Sequence, residues 1–546
     1  MINKEKISII KNYSYIFLWT QLFPILIYIL NGYKNIGVIE VVKNIKAGAR
    51  ICLIVYLVFW IISYILPKKI FKFGMLSLII VNLIANICDL FAYINFGTQI
   101  NSDIFYTVLE TNLGEGKEFL LTYFNERIMI IFIYIILILF LLYKIKLKKY
   151  FTSLIMLIAV IGIVFGFNLN GTDYTRKYVL ATLGSSYKKY KKDAEEYKKF
   201  LNNLQDFDLK KEIKDLNEEE TIYVMIIGES SSKLHSSIYG YYRNTTPKLL
   251  KLKTNNELAV FNNIITPHST TGESLRKVLT LNNSEMNKKF YEVPSILDFF
   301  NATDFKTYWL SNQESYGVIG NAVASIASKS QHTKYTEEYS SDSRKFKKYD
   351  EALLPMLDRV LEEKTPKKFI VIHLMGNHMQ YQERYPEKFK YFKDIDKNFN
   401  DWQIKKKDRV NDYDNSMLYV DYIVSEIIKK IEKQDKKSYV LYFSDHGQEI
   451  WDKKDFMGHG EKIINSCVSD IPFVLWLSDK YKLDNTRVEN ILKNVDKKYS
   501  TEDLPYTILD LSYLEWKNFD SEKSVINLNF KEKIRYHNNL NYDTKD

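Results

Sequence analysis

The sequence predicts a membrane protein, with an N-terminal five-helix transmembrane domain followed by a larger α/β domain outside the cytoplasm. Long apolar runs dominate the 546-residue chain up to about residue 170, whereas Lys, Asp, Glu, Asn and Tyr are dense beyond it. Short Val-, Ile-, Tyr- and Phe-rich runs then recur between stretches of helical periodicity, which is typical of buried strands. All 8 histidines lie from His235 onward, so imidazole chemistry belongs to this second part. A purely soluble enzyme and a channel or transporter body are both excluded.

The first part contains five apolar segments that can cross a hydrocarbon core of roughly 30 Å, the shorter ones with help from their flanks. They are residues 13–30, 51–66, 73–96, 128–143 and 151–167. Lys residues precede the first segment and fill the connections between the second and third and between the fourth and fifth. Because cytoplasmic loops carry the excess of Lys and Arg, these stretches belong on the cytoplasmic side. An odd number of spans then places everything after residue 167 outside the cytoplasm.

We predict three regions: a transmembrane domain over residues 1–170, an amphipathic linker over 171–220, and an extracytoplasmic catalytic domain over 221–546. The Tyr- and Lys-rich linker is typical of a helix along the membrane surface, or of a plain solvated spacer helix. In the second external loop, Thr107, Thr111 and Glu115 recur every fourth residue and would share one helical face. That face is either a solvated interfacial surface or one that meets a substrate.

Charge and cysteine content exclude several classes of partner and site. The formal net charge is +10, but many Lys residues flank apolar runs and others alternate with Asp and Glu, so we expect no nucleic-acid partner. Of the 3 cysteines, Cys52 and Cys88 lie inside apolar runs and only Cys467 lies in the aqueous part. A disulfide within the aqueous domain and a thiolate metal cluster are therefore excluded.

Polar side chains follow the predicted strands of the aqueous domain where each strand ends. The strands are expected at residues 222–227, 259–265, 369–372, 439–443 and 472–477, buried and parallel. Glu229 follows the first of these, His373 to His378 follow the third, and Asp445 and His446 follow the fourth. Because the carboxyl ends of parallel strands meet at one edge of a sheet, we expect these groups to lie together.

Glu229, Asp445 and His446 suggest a metal site at this edge. A Glu after a strand is usually solvated, and an Asp–His pair is often an ordinary hydrogen bond, so each feature alone is weak. Together they supply the carboxylate and imidazole ligands of an open Zn²⁺ site, or of a harder ion such as Mn²⁺ or Mg²⁺.

A nucleophile is offered by the segment from Pro267 to Arg276. The spacing of Thr270 and Glu273 is that of a capping box, which predicts that the Thr270 hydroxyl caps a helix beginning here. Thr271 would then be the first helical residue, where a phosphate on its oxygen would meet free backbone N–H groups. Metal coordination would lower the pKa of its hydroxyl. The alternative is a simple helix start with a Ser/Thr-rich cap.

With these residues in place, the aqueous domain resembles the phosphoethanolamine transferases of Gram-negative inner membranes, a branch of the alkaline phosphatase and sulfatase superfamily. The resemblance covers roughly residues 221–477 and includes the five preceding spans. Its matching segments occur in family order: Ile226 to Ser230, Tyr239 to Pro247, the Thr271 segment, His373 to His378 with Arg384-Tyr385-Pro386, and Ser444 to Glu449.

The resemblance implies a sulfatase-like (alkaline phosphatase-like) α/β fold and a zinc site. Carried over residue by residue, it makes Glu229, Thr271, Asp445 and His446 the zinc ligands. Thr271 is also the residue that becomes phosphoethanolaminylated.

The resemblance also implies substrate-contacting residues. His378 and His459 are expected to bind the phosphate and handle protons, or to hold a second metal. Thr111 and Glu115 resemble the external-loop motif that contacts lipid substrate.

The function implied is the transfer of phosphoethanolamine from phosphatidylethanolamine to an envelope glycolipid or glycan, by way of a modified threonine. The acceptor would be lipopolysaccharide core, lipid A or periplasmic glucan. The enzyme would be a multi-pass protein of the bacterial inner (cytoplasmic) membrane with its catalytic domain in the periplasm. One alternative is a lipoteichoic-acid-synthase-like glycerol phosphate transferase that prefers Mn²⁺, and another is a non-catalytic envelope sensor.

Overall fold

The computed structural model describes residues 7–20, 54–58, 60–61, 63–96, 129–143, 184, 187–188, 191, 207, 209–286, 288–313, 322–336, 349–460 and 464–544. The chain divides into two compact units. One unit comprises residues 1–111 and 119–193, and the other comprises residues 112–118 and 194–546.

The described residues of the first unit are helical, apart from the break at Leu66 and Pro67. Residues 7–20 are helical, residues 54–65 form a short apolar helix, and two further helices are α1 (Lys68–Phe96) and α2 (Met129–Tyr143). Side chains from three of these helices pack together, among them Phe17, Ile79 and Ile138. The buried hydroxyl of Tyr134 donates to the carbonyl of Thr20 at 3.1 Å, which satisfies a polar group inside an apolar bundle.

One described helix, over Lys69–Ala92, is long and apolar enough to cross a membrane. It agrees with the third of the five predicted spans. The apolar helix Met129–Leu141 and residues 54–65 are shorter parts of two others. The predicted span 151–167 and most of 13–30 lie outside the described residues, so the five-helix count stays a prediction.

The described residues of the second unit include 15 strands, most of them short. In chain order they are β1 (Ile213–Asp215), β2 (Thr221–Gly228), β3 (Leu258–Val260), β4 (Ile264–Ile265), β5 (Lys306–Ser311), β6 (His332–Tyr335), β7 (Lys367–His373), β8 (Lys437–Ser444), β9 (Glu449–Ile450), β10 (Met457–Gly458), β11 (Phe473–Leu477), β12 (Tyr499–Ser500), β13 (Leu514–Trp516), β14 (Tyr536–His537) and β15 (Leu540–Asn541).

Eleven helices accompany these strands in the described part of this unit. They are α3 (Pro247–Thr254), α4 (Thr271–Val278), α5 (Ile296–Asn301), α6 (Ala322–Ala327), α7 (Leu353–Glu362), α8 (Asp401–Lys405), α9 (Lys407–Glu432), α10 (Ser466–Ser469), α11 (Asp479–Lys482), α12 (Asn485–Lys493) and α13 (Leu504–Leu511).

Seven strands form the central sheet, in the order β3-β11-β8-β2-β7-β5-β6. Neighbouring strands from β8 to β6 are parallel, whereas β11 runs antiparallel to both β8 and β3. The continuous apolar run of β2 explains its central place, because both of its faces are covered. Alternate residues Tyr223, Met225 and Ile227 face one core, and Ile222, Val224 and Ile226 face the other.

The α/β prediction is confirmed, and the strands at 222–227, 369–372 and 439–443 lie where they were expected. The prediction that all the strands are parallel is wrong for β11, because hydrophobicity reports burial and not strand direction. Residues 259–265 form two separate strands, β3 and β4, rather than one. β5 and β6 were not predicted. Ile213–Asp215, placed in the linker, pairs with Leu514–Trp516 of this unit.

Candidate functional site

The register of the sheet brings the predicted ligands to one edge. Gly228, the last residue of β2, pairs with Ser444, the last residue of β8. Glu229 and Asp445 are therefore the first residues beyond two adjacent parallel strands, and they leave the sheet at the same level. His446 comes one residue later. On the other side of β2, Ile227 pairs with His373, the last residue of β7.

Glu229, Asp445 and His446 form a compact, buried cluster, which we call the ligand cluster. One donor atom from each lies within 4.8 Å of the others. The Nε2 atom of His446 lies 3.6 Å from Oε1 of Glu229 and 3.5 Å from Oδ2 of Asp445. Two carboxylates and an imidazole at these distances are able to bind a divalent cation between them.

The ligand atoms of the cluster are held in place by other hydrogen bonds. Oδ1 of Asp445 accepts from the backbone N–H groups of Ser230, at 3.0 Å, and of His446, at 2.7 Å. Its Oδ2 is buried and has no hydrogen-bond partner among the residues described. Nδ1 of His446 donates to the Gly447 carbonyl at 2.8 Å, which leaves the Nε2 lone pair of the neutral ring for coordination. The arrangement fits a metal ion.

Thr271 is the first residue of α4, as predicted, and it stands against the ligand cluster. Its hydroxyl donates to Oε2 of Glu229 at 3.1 Å, and its Oγ1 lies 3.4 Å from Nε2 of His446. Unlike the three ligands, Thr271 is only half-buried. Thr271 therefore combines contact with the cluster and partial exposure to solvent.

The capping-box prediction for Thr270 is wrong. Thr270 is the N-cap residue, with extended backbone angles of φ -129° and ψ 141°, but its side chain makes no capping hydrogen bond. The start of α4 is held from inside the fold. The hydroxyls of Thr266 and Ser274 both donate to the backbone carbonyl of Asp445, at 2.6 and 2.7 Å. The loop thus remains in place without the cap.

Burial raises the pKa of both carboxylates in the ligand cluster. Burial, and then the neighbouring charge of Asp445, raises the pKa of Glu229 to about 8. Burial raises the pKa of Asp445 to about 6, although hydrogen bonds oppose the shift. Two carboxylates this close are costly without a compensating positive charge. A bound cation would supply that charge.

His378 and His459 lie beside the cluster as uncharged bases. The rings of His459 and His446 are 4.1 Å apart between centroids. Burial, and then the positive charge of the neighbouring Arg384, lowers the pKa of His378 to about 3. Burial lowers the pKa of His459 as well, and the nearby imidazoles of His446 and His378 disfavour a further proton there. Neutral imidazoles can both accept protons and donate hydrogen bonds.

Residues without a predicted role complete the site. Nδ1 of His459 donates to Oε1 of Gln448 at 2.6 Å, and Nε2 of Gln448 donates to the Tyr381 hydroxyl at 2.6 Å. Ser230 donates from its hydroxyl to Oε1 of Glu229 at 2.7 Å. Gln448 and Ser230 stand inside the motifs already singled out, which was the available signal. No sequence signal pointed to Tyr381, because it lies outside these motifs and 67 positions from Gln448 in the chain.

Two predicted substrate contacts, Thr111 and Glu115, lie outside the described residues. Their roles stay predictions.

A second group of Glu449, Asp452 and Cys467 also has donor atoms within 4.8 Å. It differs from the ligand cluster because its oxygens are already occupied. Oε1 of Glu449 accepts from the backbone N–H of Asp452 at 2.7 Å and its Oε2 accepts from Asn465 at 2.6 Å. This group is explained as a loop-closing network.

Comparison with known proteins adds to this geometry. The family model for sulfatases matches residues 221–513. The chain is 29% identical over 518 residues to phosphoethanolamine transferase EptC of Escherichia coli, covering 89% of each chain. The crystal structure of the C-terminal periplasmic domain of that Escherichia coli protein, in complex with zinc, superposes with a TM-score of 0.57 at 32% identity. It covers 61% of this chain and 95% of that chain.

A second structure extends the likeness in fold to both units. The integral membrane protein lipooligosaccharide phosphoethanolamine transferase A from Neisseria meningitidis superposes with a TM-score of 0.68. It covers 94% of this chain and 97% of that chain, at 20% identity. Since the sulfatase model spans more than half of the sequence, and since the ligand cluster lies inside it, the chain belongs to the sulfatase family, within which it is similar to phosphoethanolamine transferases.

Proposed function

We propose that this protein is a zinc-dependent phosphoethanolamine transferase that uses Thr271 as its nucleophile. The observation that carries the proposal is the contact of 3.1 Å between the half-buried Thr271 hydroxyl and Glu229, inside a cluster with an unpartnered Asp445 oxygen. Glu229, Asp445 and His446 are buried, whereas Thr271 is partly exposed, so Thr271 is the member of the site that a substrate can approach. The similarity to phosphoethanolamine transferases over 89% of the chain supports the group transferred.

Zinc is the metal we infer for the cluster, with Mn²⁺ or Mg²⁺ as the less favoured ions. Glu229, Asp445, His446 and Thr271 would hold it, since a mixed carboxylate and imidazole set is the usual choice of zinc. The zinc-bound structure of the Escherichia coli relative supports this choice. When bound, zinc lowers the pKa of a coordinated hydroxyl and stabilises negative charge on phosphoryl oxygens.

In the first half-reaction, Oγ1 of Thr271 attacks the phosphorus of phosphatidylethanolamine. A bond forms between that oxygen and phosphorus, and the bond from phosphorus to the diacylglycerol oxygen breaks. The proton of the Thr271 hydroxyl is released and the departing diacylglycerol oxygen gains one. His378 and His459, kept neutral by burial, are the residues we assign to hold the phosphate and relay these protons.

The second half-reaction returns Thr271 to its starting state. An acceptor oxygen attacks the same phosphorus, the bond to Thr271 breaks, and Thr271 regains its proton. The first turn of α4 supports both steps, because its N-terminal N–H groups favour negative charge on the phosphoryl oxygens. The modified threonine makes the overall scheme a double displacement.

Donor and acceptor are inferred from chemistry and likeness. The donor we propose is phosphatidylethanolamine, and the acceptor is lipopolysaccharide or another envelope glycolipid or glycan, with lipid A, core sugars and periplasmic glucan as the candidates. The helix over Lys69–Ala92 supports membrane attachment. A multi-pass protein of the bacterial inner membrane with its catalytic domain in the periplasm fits a lipid donor and an envelope acceptor. Thr111 and Glu115 remain our candidates for lipid contact.

The alternative, a glycerol phosphate transferase, is less well supported. The Escherichia coli relative that covers 89% of the chain is named a phosphoethanolamine transferase. Consumption of phosphatidylglycerol in place of phosphatidylethanolamine by the purified protein would favour the alternative.

The proposal is tested with Thr271→Ala in the full-length protein. We expect Thr271→Ala to abolish transfer of labelled headgroup from phosphatidylethanolamine, while Thr270→Ala, its immediate neighbour, retains transfer. Thr271→Ser keeps a hydroxyl and should retain part of the rate. Undiminished labelling of the acceptor by the Thr271→Ala protein would refute the nucleophile assignment.

A further inference from the structure

A hairpin near the C-terminus lies against the loop that carries Thr271. The hairpin consists of β14 and β15, and the loop spans residues 263–270, directly before α4, with the two-residue strand β4 near its start. Nη1 of Arg535 donates to the carbonyl of Asn263 at 2.9 Å, and the backbone N–H of Asn538 donates to the carbonyl of Pro267 at 2.9 Å. The hairpin is far from the loop in sequence, so these bonds join two separate parts of the unit.

His537 is the centre of this contact. Its Nδ1 donates to the Thr266 carbonyl at 2.7 Å, since a carbonyl can only accept. In the neutral ring its Nε2 then accepts from the Ser269 hydroxyl, at 2.7 Å. His537 and Ser269 are both fully buried. One imidazole therefore fixes two points of the loop, the second of them two residues before Thr271.

Asn538 fixes Ser269 a second time. Its Oδ1 accepts from the Ser269 backbone N–H at 3.0 Å, and its Nδ2 donates to the Ser269 hydroxyl at 2.9 Å. A serine next to a histidine can be a nucleophile, but this serine has no exposed surface and its oxygen is used in both directions. The pair is not a second active site.

The other side of the loop is bound to the ligand cluster. Thr266 donates from its hydroxyl to the carbonyl of Asp445 at 2.6 Å, and Ser274 does so at 2.7 Å. The same Thr266 uses its carbonyl to accept from His537. A continuous path of hydrogen bonds thus leads from the hairpin through Thr266 to the backbone of a metal-ligand residue.

We propose that His537 is a positioning residue, which holds the loop so that the Thr271 hydroxyl stays at the ligand cluster. It touches neither substrate nor metal, and it acts through Thr266 and Ser269. This inference rests on the proposed function, in which Thr271 is the nucleophile. The physical reason for an effect on rate is that misplacing a reacting group by about 1 Å can cost roughly 100-fold in rate.

Three substitutions in the full-length protein separate the two bonds. His537→Ala removes both, His537→Asn keeps an amide where Nδ1 lies, and His537→Gln keeps one where Nε2 lies. We expect His537→Ala to lower kcat by about 100-fold with KM for phosphatidylethanolamine nearly unchanged, because binding is intact and alignment is lost. The Asn and Gln variants should each recover part of kcat. An unchanged kcat in His537→Ala would overturn the proposal.

Hydrogen exchange distinguishes positioning from general stability. In His537→Ala we expect faster amide exchange over residues 266–278 and unchanged exchange in β2, β7 and β8. Faster exchange throughout the unit would overturn the proposal, since His537 would then support the whole fold. The matched control is His332→Gln, on the edge strand β6, where the ring stacks on Tyr308 at 5.3 Å between centroids. This variant should match wild type in both measurements.

Thr271→Ala separates failure of this inference from failure of the proposed function. If Thr271→Ala still transfers headgroup, the proposed function has failed whatever His537→Ala does. If Thr271→Ala is inactive and His537→Ala has normal kcat, only the positioning role is refuted.

Discussion

Two buried polar clusters in the α/β unit have opposite electrostatic designs. In the first, the ligand cluster, two carboxylates and one imidazole meet at the sheet edge. In the second, which we call the His235 cluster, the ring of His235 lies between Asp414, at 2.6 Å, and Asp452, at 3.1 Å. Arg243 adds a second cation, 2.8 Å from Asp414.

The difference is one of charge balance. His235 and Arg243 offset Asp414 and Asp452, so that cluster is complete without any added ion. The ligand cluster has an excess of negative charge and a buried Asp445 oxygen that meets no donor within the described part of the chain. Buried charges are tolerated only when they are compensated. The balanced cluster is therefore structural, and the unbalanced one is where we propose that an ion and a substrate phosphate bind.

The strongest way to break this comparison is Asp445→Asn. The variant keeps the size of the side chain and the oxygen that accepts from Ser230 and His446, but it replaces the unpartnered oxygen with an amide. We expect transfer activity to fall by about 1,000-fold or more, because an anionic metal ligand is lost. Activity assays with added zinc and after chelation measure the effect.

The same variant tests the charge imbalance directly. Stripped of metal by a chelator, Asp445→Asn should unfold at a higher temperature than wild type, since Glu229 no longer faces a second carboxylate. A lower unfolding temperature than metal-free wild type would contradict the imbalance. Full activity in this variant would remove Asp445 from the metal site.

A substitution in the balanced His235 cluster should lower the stability of the protein and leave its activity unchanged. His235→Gln leaves Asp414 and Asp452 with one cation fewer in a buried place, so we expect a loss of about 3–5 kcal/mol in the free energy of unfolding. Activity per folded molecule should be unchanged. Denaturant unfolding followed by Trp fluorescence measures the loss.

The control for His235→Gln is an exposed ion pair. Lys388→Ala removes a surface pair with Glu351, whose atoms lie 3.2 Å apart, and should cost less than about 1 kcal/mol. A His235→Gln protein that is fully stable but inactive would place His235 in the catalytic machinery and invalidate the comparison.

A smaller loss of activity is expected when the hydrogen bond that orients His459 is removed. Gln448→Leu removes the acceptor that fixes Nδ1 of His459 and the donor to Tyr381. Residues that orient ligands and catalytic rings typically contribute 10- to 100-fold, so we expect kcat to fall by about that factor. Steady-state kinetics with phosphatidylethanolamine measures it, and kcat equal to wild type would show that this contact does not orient His459.

The last expected effect is a pH dependence of stability that belongs to His235. Burial by itself lowers the pKa of His235, but the carboxylates of Asp452 and Asp414 outweigh it and raise the pKa from 6.5 to about 10. A raised pKa means that the native state binds the proton more tightly. The stability from this group is thus fully present below pH 6.5 and is lost as the pH rises through about 10.

The measurement is the difference in unfolding free energy between wild type and His235→Gln across this window. It should shrink by at most about 1.4 kcal/mol per pH unit between pH 6.5 and 10. A difference that stays constant with pH would mean that His235 is not held in its charged form.

The comparison also shows what sequence reasoning can reach. Glu229, Asp445 and His446 could be placed together because each follows an apolar run, and parallel strands end at one edge. β5 and β6 were missed because Lys306–Ser311 and His332–Tyr335 mix polar residues with apolar ones near one side of the sheet. Strand direction could not be predicted either, because the apolar runs of β11 and β8 have the same pattern although the two strands are antiparallel.

The support of the site depends on contacts that have no local pattern. Neither the hairpin that carries His537 nor the pairing of His235 with Asp414 can be inferred from spacing, because the partners are separated by 271 and 179 positions in the chain. Thr270 shows the converse case. Its capping-box spacing is correct, but the loop is held by Thr266 and Ser274, and the local signal is overridden by tertiary hydrogen bonds.

The central claim is that the unbalanced cluster activates Thr271, and peptide mapping of the trapped enzyme tests it most directly. The full-length protein is incubated with phosphatidylethanolamine and zinc without acceptor, quenched, digested and examined by mass spectrometry. We expect phosphoethanolamine on the peptide that contains Thr271 in the wild type and in His235→Gln, and no such modification in Thr271→Ala or in Asp445→Asn. Modification of another peptide, or equal modification in Thr271→Ala, would contradict it.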